Sequence, residues 1–265
     1  MITRRTVLAA GLGAAAVASS VPSGNTQTQT AQRTFVLVHG GWHGGWCWRR
    51  VADLLRRQGH TVFTPTLTGL GERSHLMSRD INLDTHITDV VNLFKWEDLN
   101  DAVLVGHSYA GWVISGVVEQ MPPRVRSIVF LDAFMPEGDG TRFIDNAPEV
   151  SRRVTLAAFE RGEVSLPAPT AATFDVNEKD RSWVDSKMTP QPLGVLLQPI
   201  RLTGARDRVA KKTYIRAASH PNPIFDKYLG ICKADRTWRT FEIPCGHDVM
   251  VDMPERLAEV LVEVA

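Results

Sequence analysis

From residue 33 onward the chain alternates between two hydrophobic rhythms. "RTFVLVHG" is a continuous apolar run closed by glycine, the pattern of a strand buried on both faces. "WRRVADLLRRQGH" then sets Val51, Leu54 and Leu55 on one side of a helix, arginine pairs on the other, and Gly59 as its stop. "TVFTPTL" predicts a second strand ended by Pro65. "LDTHITDVVNLFKWED" predicts a helix with Ile87, Val90, Val91 and Phe94 on one face. "DAVLVGH" is a third strand, residues 109–120 a helix, and "VRSIVFLDAF" a fourth strand.

After Phe134 the rhythm breaks into proline-rich, weakly periodic pieces, and then it resumes. "KKTYIRAAS" is strand-like, "PIFDKYLGICKAD" helical, "WRTFEIP" a strand and "MPERLAEVLVEV" a closing helix. Strands alternating with helices predict an α/β domain whose mostly parallel, doubly wound sheet is covered on both faces. The domain is expected over residues 33–265, with about 135–212 inserted as a cap above the strand ends. In open α/β sheets ligands bind at those carboxyl ends, so such a cap would cover the site.

The first 32 residues differ in kind. "TRRTVL" puts Arg4 and Arg5 before an apolar run from Val7 to Ala18, and Ala16-Val17-Ala18 offers small residues for cleavage. This is the pattern of an export signal, and the arginine pair resembles the bacterial twin-arginine type. The run is shorter than the roughly 20 apolar residues that span a bilayer. The Ser/Thr/Gln-rich residues 19–32 read as a disordered linker. The expectation is a periplasmic or secreted protein with no stable membrane insertion after processing.

Composition narrows the function classes. A chain of 265 residues, 43% hydrophobic and 22% charged, is long enough for one large α/β domain or two small ones. With a net charge of +1 and no basic run beyond Arg4-Arg5, nothing points to nucleic acid or an anionic membrane as partner. Three cysteines, Cys47, Cys232 and Cys245, leave at least one unpaired. There is no C-x-x-C and no HExxH, so a metal site is not predicted.

The candidate chemistry begins at "VGHSYAG", residues 105–111. Small residues on both sides of Ser108 permit a sharp strand-to-helix turn that holds a hydroxyl exposed above the sheet. A serine needs a base, and His247, directly after the last strand in "EIPCGHDVM", reaches the same sheet edge. His60, His75 and His86 read as surface or capping residues. A developing oxyanion needs donors. "HGGWHGGW", residues 39–46, supplies a glycine loop at that edge. The amides of Gly41 and of Tyr109, the residue after the nucleophile, are the candidates, with Trp42 beside them at the substrate.

"FVLVHGGWHGGWCW", "VLVGHSYAG", "IVFLDAFMP" and "CGHDVM" resemble the α/β-hydrolase branch of plant methylesterases and hydroxynitrile lyases, with bacterial esterase relatives. The likeness spans roughly residues 33–263 and implies an α/β-hydrolase fold and a Ser-His-acid enzyme without metal or organic cofactor. The fifth position of G-x-S-x-G is Ala110, still small enough for the turn. Lyase members place a lysine after the catalytic histidine, where this chain has Asp248, and some place a threonine where it has Gly40. A cyanide leaving group needs a cation nearby, so the resemblance favours ester hydrolysis.

Two aspartates compete for the third role. Asp207 lies in "LTGARDRV", which resembles the G-x-x-D-x-x-V acid motif of many α/β-hydrolases, but a further strand-like segment separates it from His247. The strand that aligns with the family's acid-bearing one ends in Ser219-His220-Pro221, without a carboxylate. Asp132 ends the strand after the nucleophile's. A carboxylate in an apolar run is costly unless paired, and pairing with His247 would satisfy it. Some α/β-hydrolases, fungal lactonases among them, resemble this arrangement, and Asp132 is preferred. Trp42, Trp112, Phe134, Met135, Phe143, Phe159 and Met250 near the loops and cap suggest a small, apolar, aromatic ester as substrate, about half of them belonging to the core instead. A lactonase, a lyase and a non-catalytic binding protein on the same fold are the alternatives.

Overall fold

In the computed structural model, which describes residues 31–265, strand β1 (Thr34–Val38) lies second from one edge of a six-stranded sheet. The other members are β2 (Thr61–Phe63), β3 (Ala102–His107), β4 (Val125–Leu131), β7 (Lys211–Ala217) and β8 (Trp238–Ile243), in the order β2-β1-β3-β4-β7-β8. Every pairing in the sheet is parallel. The segment read as an export signal, and the expected linker up to residue 30, lie outside the described residues.

The continuous apolar runs form buried strands because the sheet is covered on both faces. Val36, Leu104, Ile128, Phe130 and Tyr214 point into one core, beneath helices α2 (Leu83–Trp96), α3 (Ala110–Gln120) and α8 (Pro223–Ala234). Their neighbours Phe35, Leu37, Val105, Val129 and Ile215 point into the other, beneath α1 (Arg49–Arg57) and α10 (Pro254–Val264). The period of two along each strand thus divides the side chains between two cores. Helix α2 starts at Asn82, whose side chain accepts from Thr85 N–H at 3.0 Å while Thr85 Oγ1 accepts from Asn82 N–H. Strand β2 is shorter than its sequence suggests and stops at Phe63, before Pro65.

Between β4 and β7 the chain forms short elements on the carboxyl side of the sheet. They are α4 (Glu149–Glu160), α5 (Glu178–Asp185), α6 (Gly194–Leu197), α7 (Ala205–Arg208) and an antiparallel pair, β5 (Ser165–Leu166) with β6 (Gln191–Pro192). A four-residue helix, α9 (Val249–Asp252), follows β8. Strand β7 begins at Lys211, so the two lysines at the end of the stretch read as cap belong to the sheet.

Strand order reverses beside β1: the chain leaves it toward β2 and returns on its other side with β3. The ends of β1 and β3 therefore diverge into a crevice, the usual ligand position in such sheets. Among the described residues no helix is long and apolar enough to cross a membrane. Cys47, Cys232 and Cys245 are all unpaired and buried.

Candidate active site

Ser108 leaves β3 at a backbone φ of 54°, a left-handed conformation that costs a non-glycine residue about 1–2 kcal/mol. Local hydrogen bonds hold it there. Its N–H donates to Leu131 O at 3.2 Å, and its carbonyl accepts from Gly111 N at 3.2 Å and Phe134 N at 3.1 Å. A Cβ on Gly111 would collide with Phe134 O, so the small residue after Ala110 lets the Ser108 turn pack against the chain just past β4. Ser108 is partly exposed at the floor of a cavity of about 350 Å³.

His247 reaches the same cavity from the loop after β8. Its Nδ1–H donates to Asp132 Oδ2 at 2.6 Å, and Asp132 is fully buried. Asp132 sits just past β4 at φ 41°, a conformation that aspartate tolerates better than most side chains. Its other oxygen accepts from Ala217 N at 3.0 Å and from Arg216 Nη1 at 2.8 Å. Arg216 supplies the counter-charge without which a buried carboxylate would cost several kcal/mol. Ser108 Oγ and His247 carry no mutual hydrogen bond among the described residues, although both line the cavity; such bonds often tighten only once substrate is bound. Asp207 is exposed on α7 and pairs with its neighbour Arg206, so the placement separates the two candidate acids.

Gly41 and Tyr109 both line the cavity, and neither amide donates to a protein acceptor among the described residues. Trp42 has φ 62° and is clamped by the cap. Its N–H donates to Gln191 Oε1 at 3.0 Å, and its carbonyl accepts from Thr189 N at 2.9 Å. On the opposite side His43 Nδ1–H donates to Gly41 O at 2.7 Å, while its Nε2–H donates to Asp248 Oδ2 at 2.9 Å. Burial alone lowers the His43 pKa, but the Asp248 carboxylate outweighs it and raises it overall. Burial raises the Asp248 pKa, and His43 outweighs that to hold it well below the usual carboxylate range. The two form a buried ion pair that fixes the Gly41–Trp42 peptide. Asp248 thus turns away from the cavity, its charge met by His43, and the position carries no cation.

Two histidines differ from their expected surface roles. His86 is fully buried: its Nε2–H donates to Thr68 O at 2.9 Å and its Nδ1 accepts from the Tyr109 hydroxyl at 3.1 Å. Burial lowers its pKa to about 4. The signal was present, since residue 86 shares the spacing of the apolar face of α2. His60 is also buried, with Nδ1 accepting from Arg33 N at 3.2 Å. His75 is exposed.

Of the aromatic and methionine residues singled out in the sequence, Trp42, Phe134 and Phe143 line the cavity. Trp112, Met135 and Met250 are buried in the cores, and Phe159 lies under the Arg79 guanidinium. Phe174 and Phe225 line the cavity as well, with Phe225 stacked on His247 at 5.4 Å between ring centres. Both fall in segments whose periodicity carries no hint of the site. The same holds for Arg216 and Gln191, whereas His43 lies in the glycine loop of residues 39–46 and His220 at the end of β7, where only the fold supplies their partners.

A sequence profile described as the alpha/beta hydrolase family matches residues 35–260. The chain belongs to this family. It is 43% identical over 235 residues to the carbendazim hydrolyzing esterase of a Nocardioides species, covering 86% of this chain and 97% of that protein. It is 25% identical over 260 residues to methylesterase 10 of Arabidopsis thaliana, covering 87% and 91% of the two chains. Among solved structures, an extracellular alpha/beta-hydrolase from a Paenibacillus species superposes with a TM-score of 0.75 at 27% identity, over 88% of this chain and 99% of that one. This α/β-hydrolase is therefore a hydrolytic enzyme among esterase relatives, plant methylesterases and a bacterial esterase included.

Proposed function

We propose that this protein is a serine carboxylic ester hydrolase that works through an acyl-enzyme on an apolar, aromatic ester. The observation that carries the reading is the 2.6 Å bond from His247 Nδ1–H to buried Asp132 at the wall of the cavity that holds Ser108. That bond leaves Nε2 as the basic nitrogen. Ser108 Oγ attacks the ester carbonyl while His247 Nε2 takes its proton, and the imidazolium formed is stabilised by Asp132. The amides of Gly41 and Tyr109 receive the oxyanion. Collapse breaks the bond to the alkoxy oxygen, which leaves as the alcohol with the proton from His247. Water then attacks the acyl-serine, giving its proton to His247, and the acid departs as Ser108 is restored.

The lining supports the substrate class, since aromatic and aliphatic side chains from cap and sheet dominate a cavity large enough for a small aryl ester. A lyase reading has no cation after His247 to support it. The test is a panel of aryl acetates, aromatic methyl esters, carbendazim, aryl lactones and mandelonitrile. Ester turnover that a fluorophosphonate abolishes by labelling Ser108 is expected; mandelonitrile cleavage without ester turnover would sink the reading.

We further propose export, resting on Arg4-Arg5 and the apolar run to Ala18. Mass spectrometry of the protein from its native host is expected to find a mature N-terminus between about Ala18 and Gln32. A cytoplasmic chain beginning at Met1 or Ile2 would refute it.

A further inference from the structure

The cavity wall holds a second imidazole–carboxylate pair that the mechanism above does not use. His220 follows β7, at the strand end where the resembling plant enzymes carry their acid. Its Nδ1–H donates to Asp175 Oδ2 at 2.7 Å, much as His247 Nδ1–H donates to Asp132 at 2.6 Å. The two imidazole rings lie side by side, 4.9 Å between centres and tilted by 34°.

Both pairs are built rather than incidental. The Arg216 guanidinium joins them, with Nη1 on Asp132 Oδ1 at 2.8 Å and Nη2 on the His220 carbonyl at 2.6 Å. Asp175 arrives from the inserted segment at φ 54°, and the chain there docks on the histidine loop: His247 N–H donates to Phe174 O at 2.8 Å. A Cβ on Gly246 would collide with Asp175 O, so the close approach uses the glycine before His247. The insertion therefore carries a carboxylate to a histidine of the main domain, beside the reacting groups.

With Nδ1–H committed to Asp175, the neutral ring carries its lone pair on Nε2. Among the described residues that nitrogen has no protein partner, and His220 lines the cavity. The exposed lining is mostly apolar; of its amides, Gln191 Oε1 already accepts from Trp42 N and Asn222 Oδ1 from Ile224 N, and the Ser151, Thr155 and Thr173 hydroxyls come from the inserted segment, so a buried donor next to the reacting carbonyl depends on His220 for an acceptor. Because the two ring centres are only 4.9 Å apart, a donor held by His220 belongs to the part of the substrate beside the carbonyl that His247 serves.

We propose that His220, oriented by Asp175, selects esters carrying an O–H or N–H donor on the atom next to the ester carbonyl carbon. The proposal deepens the ester-hydrolase reading and rests on it. Asp175 touches no substrate in this scheme and is a positioning residue.

The test compares two probes, methyl mandelate (its faster enantiomer) and methyl phenylacetate, which share ring, ester and leaving group and differ by one hydroxyl. The intrinsic reactivity difference is common to every variant, and a folding defect lowers both rates, so the readout is the change in the ratio of kcat/KM values. In His220→Phe the ratio is expected to fall about tenfold toward phenylacetate, the worth of one lost hydrogen bond. Asp175→Ala is expected to shift it the same way, and Asp175→Asn, whose Oδ1 still accepts from Nδ1–H, to restore most of it. A ratio in His220→Phe within about twofold of the native value would overturn the proposal while leaving ester hydrolysis standing. A native enzyme that turns over neither probe, nor any other ester, would overturn both readings.

Discussion

Replacing Ser108 or His247 by alanine is expected to lower kcat about 10⁴–10⁶-fold on any ester the native enzyme turns over, while the protein stays folded. Each residue acts only through the other: the hydroxyl is a weak nucleophile without the base, and the base has no proton to move without the hydroxyl. The double variant should therefore be little worse than either single one. Folding is expected to survive for reasons visible in the structure. The Ser108 turn is held by its own backbone bonds to Leu131, Gly111 and Phe134, which alanine retains. Removing the His247 ring leaves Asp132 with Arg216 and the Ala217 amide as partners, so no buried carboxylate is stranded. Turnover and circular dichroism measured together decide the matter; a folded single variant with a near-native rate would remove that residue from the mechanism.

Asp132→Asn is expected to lose at least about 10²-fold in kcat, and Asp207→Asn less than about threefold. The hydrogen bonds around Asp132 dictate the direction. Oδ1 faces two donors, Arg216 Nη1 and Ala217 N, so an asparagine must turn its carbonyl oxygen to them. Its NH₂ then faces His247 Nδ1 and donates to it. That moves the ring proton to Nε2, the nitrogen that must accept from Ser108. The wrong tautomer blocks general base catalysis even where the geometry survives. Arg216 keeps Asp226 as a counter-ion through Nε at 2.9 Å, which limits the loss of stability. Asp207 touches none of these groups; its side chain is exposed and meets only Arg206. Measuring kcat for both variants across pH settles the ranking, and a larger loss in Asp207→Asn would move the acid to α7.

Several parts of the site were legible in the chain because they depend on local geometry. Ser108 needed a strand, a serine between small residues and a helix, all contiguous. Its positive φ and the collision that excludes a side chain at Gly111 are consequences of that local turn. The continuous apolar runs of β1, β3 and β4 indicated strands buried on two faces, and the sheet splits their side chains between two cores. That His247 and Asp132 would meet was legible because each follows a strand at the carboxyl edge, where a parallel sheet gathers strand ends.

What the tertiary structure alone decided are meetings between residues remote in the chain. Arg216 lies inside a strand whose pattern promises only burial, yet its guanidinium bridges Asp132, Asp226 and the His220 carbonyl. Asp248 read as a negative charge beside His247; its fully buried side chain instead pairs with His43 and steadies the Gly41 loop. Gln191 and Asp175 come from an insertion without clear periodicity and grip Trp42 and His220. Backbone periodicity reports which face of an element is buried, because burial repeats along strand and helix. The partner that a buried polar side chain finds is set by loop paths and by the docking of the insertion, which have no repeat to read.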